Sequence, residues 1–316
     1  METSLTVFQD QLIDYAGLFP PAKLPLDEAI NNFATYKKGK DAWMLGPFVM
    51  PVTLLKEVTA HMDLFSEEIP LTLSVVCRKS ESAEECKRQF QEDVKEIAAF
   101  IKEYAGKANV DMLEVPLPPE VPTEDLLNEI AEGAATFNVR AFCEVSLISN
   151  WKTHVTGTLD AIEVYNRKHP LTIGVKLRTG GIKAEMFPSL DQVAFVIASC
   201  RDRKLAMKFT AGLHHPVRMY REEVQTKMHG FLNIFLSGMF ALTENLDAAG
   251  IKEILEEEDP NRFLFASNGI IWNNYKLSIE DIKKVRETSL FSFGSCSFDE
   301  PKDELRELIT QQGVTL

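Results

Sequence analysis

The sequence has no Cys-x-x-Cys pair, and its five cysteines (Cys77, Cys86, Cys143, Cys200, Cys296) are scattered and odd in number. That pattern excludes a disulfide framework and a structural zinc site, and it suits reduced thiols in a cytoplasmic protein. Long hydrophobic runs are missing too. The longest, GFLNIFLSGMFAL (230–242), is interrupted by Asn233 and Ser237 and is too short to span a bilayer. No membrane partner is expected, and the run reads as a buried helix or a homo-oligomer interface. The N-terminal METSLTVFQDQLIDYAG lacks a basic stretch followed by an apolar one, so no signal peptide is expected. A basic excess is absent as well: the formal net charge is -13, which argues against nucleic acid as a partner. No Gly-x-Gly-x-x-Gly follows an early strand, no Gly-, Ser- or Pro-rich linker divides the chain, and no sequence period recurs.

What is present is an alternation of short apolar runs with amphipathic stretches. The runs are 43–51, 71–77, 110–118, 140–147, 171–177, 205–210, 263–267 and 290–294, rich in Val, Leu, Ile and Phe as buried parallel strands should be. Helix starts are marked by Ser82 with Glu85, Ser189 with Gln192, and Ser278 with Asp281. Eight strands, each followed by a helix, in a chain of 316 residues indicate an α/β fold, a (β/α)8 TIM barrel. The expected organisation is a single domain over 1–316. Residues 1–40 form an N-terminal arm, DYAGLFPPAKLP, and a helix from about Leu26 to Tyr36, and 41–316 form the barrel.

Positive charge is concentrated. From Leu171 to Arg221 nine Lys/Arg stand against three acids, a net +6 that leaves -19 for the rest of the chain. Within the apolar strands sit Glu114, Glu144, Lys176, Arg178 and Lys208. A charge facing the dry helix layer is costly, so all five are expected inside the barrel, toward the C-terminal strand ends where barrel active sites form. The alternative is an internal salt-bridge network, but buried ion pairs stabilise poorly compared with apolar packing. Lys208 is the candidate nucleophile. A lysine amine attacks a carbonyl only when neutral, and at an ordinary pKa roughly one in 2500 is neutral at pH 7. Burial and a neighbouring cation, Lys176, are expected to lower that pKa. Glu144 or Glu114 then acts as general acid/base, and Arg178 holds a carboxylate or phosphate.

Around this centre, Thr179, Gly180 and Gly181 follow the fifth apolar run and are expected to cradle an anion, although Gly-Gly is also an ordinary turn. Thr210 ends the sixth run. Asn268 follows the seventh and Ser295 the eighth, where barrels often bind phosphate. Cys296 has no assigned base. His214, His215 and His229 are expected near the mouth, the first two as acid/base groups and the third toward substrate. No metal or cofactor is called for, because adjacent histidines on an extended chain point apart and no His-x-His pair is present. A metal-dependent hydrolase or lyase using these three histidines is one alternative, and a non-catalytic anion-binding barrel is another.

The motifs VKLRTGG and MKFTAGLHH resemble the lysine-bearing strands of the class I, Schiff-base aldolase superfamily, nearest deoxyribose-phosphate aldolase. That family carries its lysines on strands six and seven, whereas the count here gives five and six. The resemblance implies that the strand-six lysine, here Lys208, forms the Schiff base and that Lys176 is the perturbing cation. It also implies a lyase acting on a small anionic carbonyl substrate.

Overall fold

A computed structural model describes residues 3–147 and 150–312; the outermost residues of the 1–316 span lie outside the described residues. Eight parallel strands close into a barrel. In chain order the first seven are β1 (Ile13–Tyr15), β2 (Leu45–Pro51), β3 (Leu71–Val76), β4 (Ala108–Pro116), β5 (Arg140–Val145), β6 (Gly174–Arg178) and β7 (Met207–Thr210). After β7 come a hairpin, β8 (Met219–Arg221) with β9 (Thr226–Met228), and a three-stranded antiparallel sheet, β10 (Phe263–Ala266), β11 (Gly269–Trp272) and β12 (Tyr275–Ser278). The eighth barrel strand, β13 (Leu290–Ser295), pairs with β7 on one side and β1 on the other.

Two expectations are corrected. The run 263–267 is a strand but not a barrel strand: β10 turns back onto β11 through Ser267–Asn268, and Ala266 pairs with Gly269. A two-residue connection suits an antiparallel hairpin, whereas a parallel neighbour needs a crossover of a dozen residues or more. The missing barrel strand is β1, inside the stretch read as an arm. It is only three residues long and carries a fully buried acid, Asp14, at its centre, so it lacks the apolar signature of the others. Lys176 and Lys208 therefore stand on barrel strands six and seven.

The remainder of the arm lies at the barrel mouth, and the helix that follows runs Leu26–Lys37. Ser189 with Gln192 and Ser278 with Asp281 form complete capping boxes, while Ser82 caps the amide of Glu85 without the reciprocal bond. The apolar run becomes helix Phe231–Glu244. Its residues Phe231 to Ala241 are all buried within this one chain. Phe231 stacks on Phe293 of β13, Phe235 meets Phe209 of β7, and Phe240 packs on Tyr275 of β12. A helix covered on every side is apolar all round. The interface reading of 230–242 is corrected accordingly, since the stretch leaves no face for a second copy. Among the described residues no helix is long and apolar enough to cross a membrane, and the five cysteines are unpaired.

Candidate active site

Strand register builds the centre of the site. Glu144 of β5 pairs with Lys176 of β6, which pairs with Lys208 of β7. Barrel strands tilt, so register partners on successive strands step along the barrel axis. The Glu144 side chain is 24% exposed, that of Lys176 6%, and that of Lys208 0%. Glu114, on β4 next to β5, completes the set. One carboxylate oxygen meets Lys176 Nζ at 2.6 Å and the other ion-pairs with Lys208. Lys176 Nζ also reaches Glu144 at 2.7 Å, and Lys208 Nζ reaches Asp14 at 2.8 Å. The result is an alternating chain of five charges, Glu144, Lys176, Glu114, Lys208 and Asp14. Ser74 donates to Glu114 at 2.6 Å and Ser292 to Asp14 at 2.7 Å.

The electrostatics follow from these contacts. Burial disfavours the Glu114 carboxylate, but Lys176 and Lys208 outweigh it and hold the group well below the usual carboxylate range. Burial likewise works against both ammonium groups. Glu114 and Glu144 outweigh it at Lys176, as Asp14 and Glu114 do at Lys208, and both pKa values are raised. The expectation that a nearby cation depresses the Lys208 pKa is thus corrected: the charged groups that its ammonium meets are the carboxylates of Asp14 and Glu114. Asp14 differs from Glu114, its pKa raised chiefly by burial.

Above the chain lies a cavity of about 570 Å³, ordinary for a small-molecule site. Lys176, Glu144, Arg178, Thr210, His214 and Cys296 line it, and Phe19 and Pro20 of the N-terminal arm also contribute to its wall. Lys208 does not line it. Arg178 is exposed at the strand end and not in the barrel interior, with Nε donating to the Gly180 carbonyl at 3.0 Å. His214 Nδ1 lies 3.4 Å from Glu300 and 3.8 Å from Cys296 Sγ. Burial opposes its imidazolium, but the hydrogen bonds with Cys296 and Glu300 prevail and raise its pKa to about 9. The cavity wall thus gathers Lys79, Lys176, Arg178 and the His214 imidazolium against Glu114, Glu144 and Glu185.

Other candidates have different places. The Thr179 amide bonds the carbonyl of Thr210 at the end of β7 and its hydroxyl that of Ala211 just beyond, so they tie the two strand ends together and do not form an anion cradle. Gly180 is required by close approach: a Cβ there would lie 2.9 Å from the Cα of Gly212. Gly181 packs against Met186. Asn268 is exposed in the β10–β11 turn, away from the mouth. Ser295 is buried behind the cavity wall, its carbonyl accepting from the Ala16 amide. His229 is buried with Nε2 on the Pro188 carbonyl at 2.8 Å, and burial lowers its pKa to about 4. It neither lines the mouth nor joins His214 and His215 in a ligand set. His215 is paired with Glu304 at 2.8 Å.

No family model and no curated protein matches this chain. A solved lysine/ornithine decarboxylase from Vibrio vulnificus, complexed with cadaverine, is similar at 12% identity and a TM-score of 0.43; the match covers 92% of this chain and 58% of that one. The barrel assignment itself rests on the closed order and parallel pairing of the eight strands.

Sequence reasoning passed over Asp14, Ser74, Ser292, Glu300 and Glu304. Asp14 carried a usable signal, an acid inside the run LIDYAGLF, the same anomaly that singled out the lysines. The two serines carry none, because a serine in a strand is ordinary until its partner is known.

Proposed function

We propose that the protein is an enzyme acting on a small anionic carbonyl compound by a lyase, aldolase-like reaction, with Lys176 as the Schiff-base nucleophile. One observation carries this reading: of the two interior lysines, Lys176 lines the mouth cavity, with a carboxylate at 2.7 Å on its open side. The corrected strand count supports it, since the Schiff-base lysine of the resembled superfamily belongs to strand six. Lys208 then takes the supporting place on strand seven.

The resting amine is protonated and must lose that proton to react. A substrate filling the cavity excludes water, and in a dry site an ammonium–carboxylate pair converts to amine and carboxylic acid by moving one proton. Glu144 receives it. The freed nitrogen lone pair attacks the carbonyl carbon, and the oxygen takes a proton back from Glu144. Loss of water leaves an iminium, whose positive nitrogen draws electrons from the adjacent carbon–carbon or carbon–hydrogen bond. Glu114 keeps its charge throughout and stabilises the cation that Lys176 carries. Arg178 and the His214 imidazolium hold the substrate's carboxylate or phosphate at the rim.

Intact-mass spectrometry after borohydride treatment with a panel of small aldehydes and keto acids tests the reading. Wild-type protein is expected to gain the mass of one reduced adduct, and Lys176→Arg none. Equal adduct on Lys176→Arg would sink it. Because the proton passes to Glu144 and not to solvent, the rate of trapping is expected to be nearly independent of pH while Lys176 is protonated at rest.

A further inference from the structure

His215, Glu300 and Glu304 stand beside the mouth, Glu300 also pairing with His214. The His215 nitrogen and one oxygen from each carboxylate all lie within 4.8 Å of one another. We propose that these three side chains bind one divalent cation of the Zn2+ or Mn2+ class in the wall next to His214.

The ligand set is the first argument. One imidazole nitrogen and two carboxylates suit a borderline or hard dication and not a soft, thiol-seeking one. Geometry is the second. Glu300 and Glu304 are one turn apart near the start of helix Asp299–Gln311, so both side chains leave the same face. His215 is buried, and its carbonyl accepts from the Phe231 amide at 3.0 Å, where helix Phe231–Glu244 begins. Two ligands on a helix and a third fixed at the start of another are largely positioned in advance. Bond lengths of about 2.0–2.2 Å to nitrogen and oxygen need only modest swings of the half-buried glutamates.

Charge is the third argument. Two carboxylates face one imidazole, and His215 Nδ1 lies 2.8–2.9 Å from both oxygens of Glu304. A proton between them occupies the place a cation would take, so binding should displace it. The fourth side adjoins His214, whose Nδ1 is 3.4 Å from Glu300 and which lines the cavity.

The test uses untagged full-length protein stripped with chelator. It is titrated with Zn2+ by calorimetry and with Co2+ by visible absorption. One equivalent per chain is expected, with proton release. Glu300→Gln and Glu304→Gln are each expected to weaken binding more than about 100-fold, since even outer-shell losses cost roughly 10–100-fold. Glu307→Gln, exposed on the same helix, should bind as wild type. His215→Ala opens a buried hole, so the two isosteric glutamate variants, checked by circular dichroism, carry the test. Absence of saturable binding would show that the cluster is an ion pair only. Binding retained in both glutamine variants would place the metal elsewhere and overturn the proposal. Lys176→Arg is expected to bind metal normally, so this test stands or falls apart from the lysine chemistry.

Discussion

Lys208 is fully buried, yet its ammonium stays charged because two carboxylates hold it. Removing it leaves Asp14 and Glu114 without their shared cation, and breaking a buried pair in this way costs about 3–5 kcal/mol. Lys208→Met is expected to lose stability on that scale in urea unfolding. Lys208→Met with Asp14→Leu is expected to recover part of the loss, with a coupling of about 0.5–3 kcal/mol. Strictly additive effects would show that the two side chains do not act as a pair. The residue types of this centre were readable from sequence: a charge inside an apolar strand is costly, and Glu114, Glu144, Lys176 and Lys208 stood out for that reason. Their division of labour was not. Exposure to the cavity and the identity of each ion-pair partner depend on barrel tilt and on Asp14, which arrives from a distant part of the chain.

At the scale of elements, what escaped the sequence was the existence of β1 and the partner of the strand at 263–267. FLFAS forms a strand as expected, but strand propensity is silent on whether the next neighbour is parallel or antiparallel, and the two-residue Ser267–Asn268 turn decides it. The histidines show the same limit. His214 lines the mouth, while His229 begins the run into helix Phe231–Glu244 and bonds the Pro188 carbonyl after β6, pinning two connections together. That role has a pH signature. The unfolded imidazole takes up a proton below about 6.5, but the buried one resists until about 4. Between those values the unfolded state holds more protons, so stability falls as pH falls, by about 3 kcal/mol in total. Above 6.5 both states are neutral and the group contributes no slope. His229→Gln is expected to flatten the melting temperature against pH across that window. A variant with the wild-type slope would remove His229 as its source.

For the whole molecule, closure of the barrel depends on three residues of β1, which fill the gap between β13 and β2. A chain beginning at Ala16 would expose two strand edges and strip Lys208 of Asp14. It is expected to give no cooperative melt; a soluble product with native circular dichroism and melting would contradict the assigned closure. The fold class was legible because barrel strands buried on both faces are almost continuously apolar, and only β1, short and acidic, broke that rule. The charge asymmetry was legible too. Arg178 and the His214 imidazolium stand at the mouth of a strongly acidic body, where they attract small anions, and at its base stands the lysine on which the account turns. The most direct test is peptide mapping of the borohydride-reduced adduct formed with a small keto acid. The modified residue is expected to be Lys176. Modification of Lys208, or of surface lysines alone, would contradict the account.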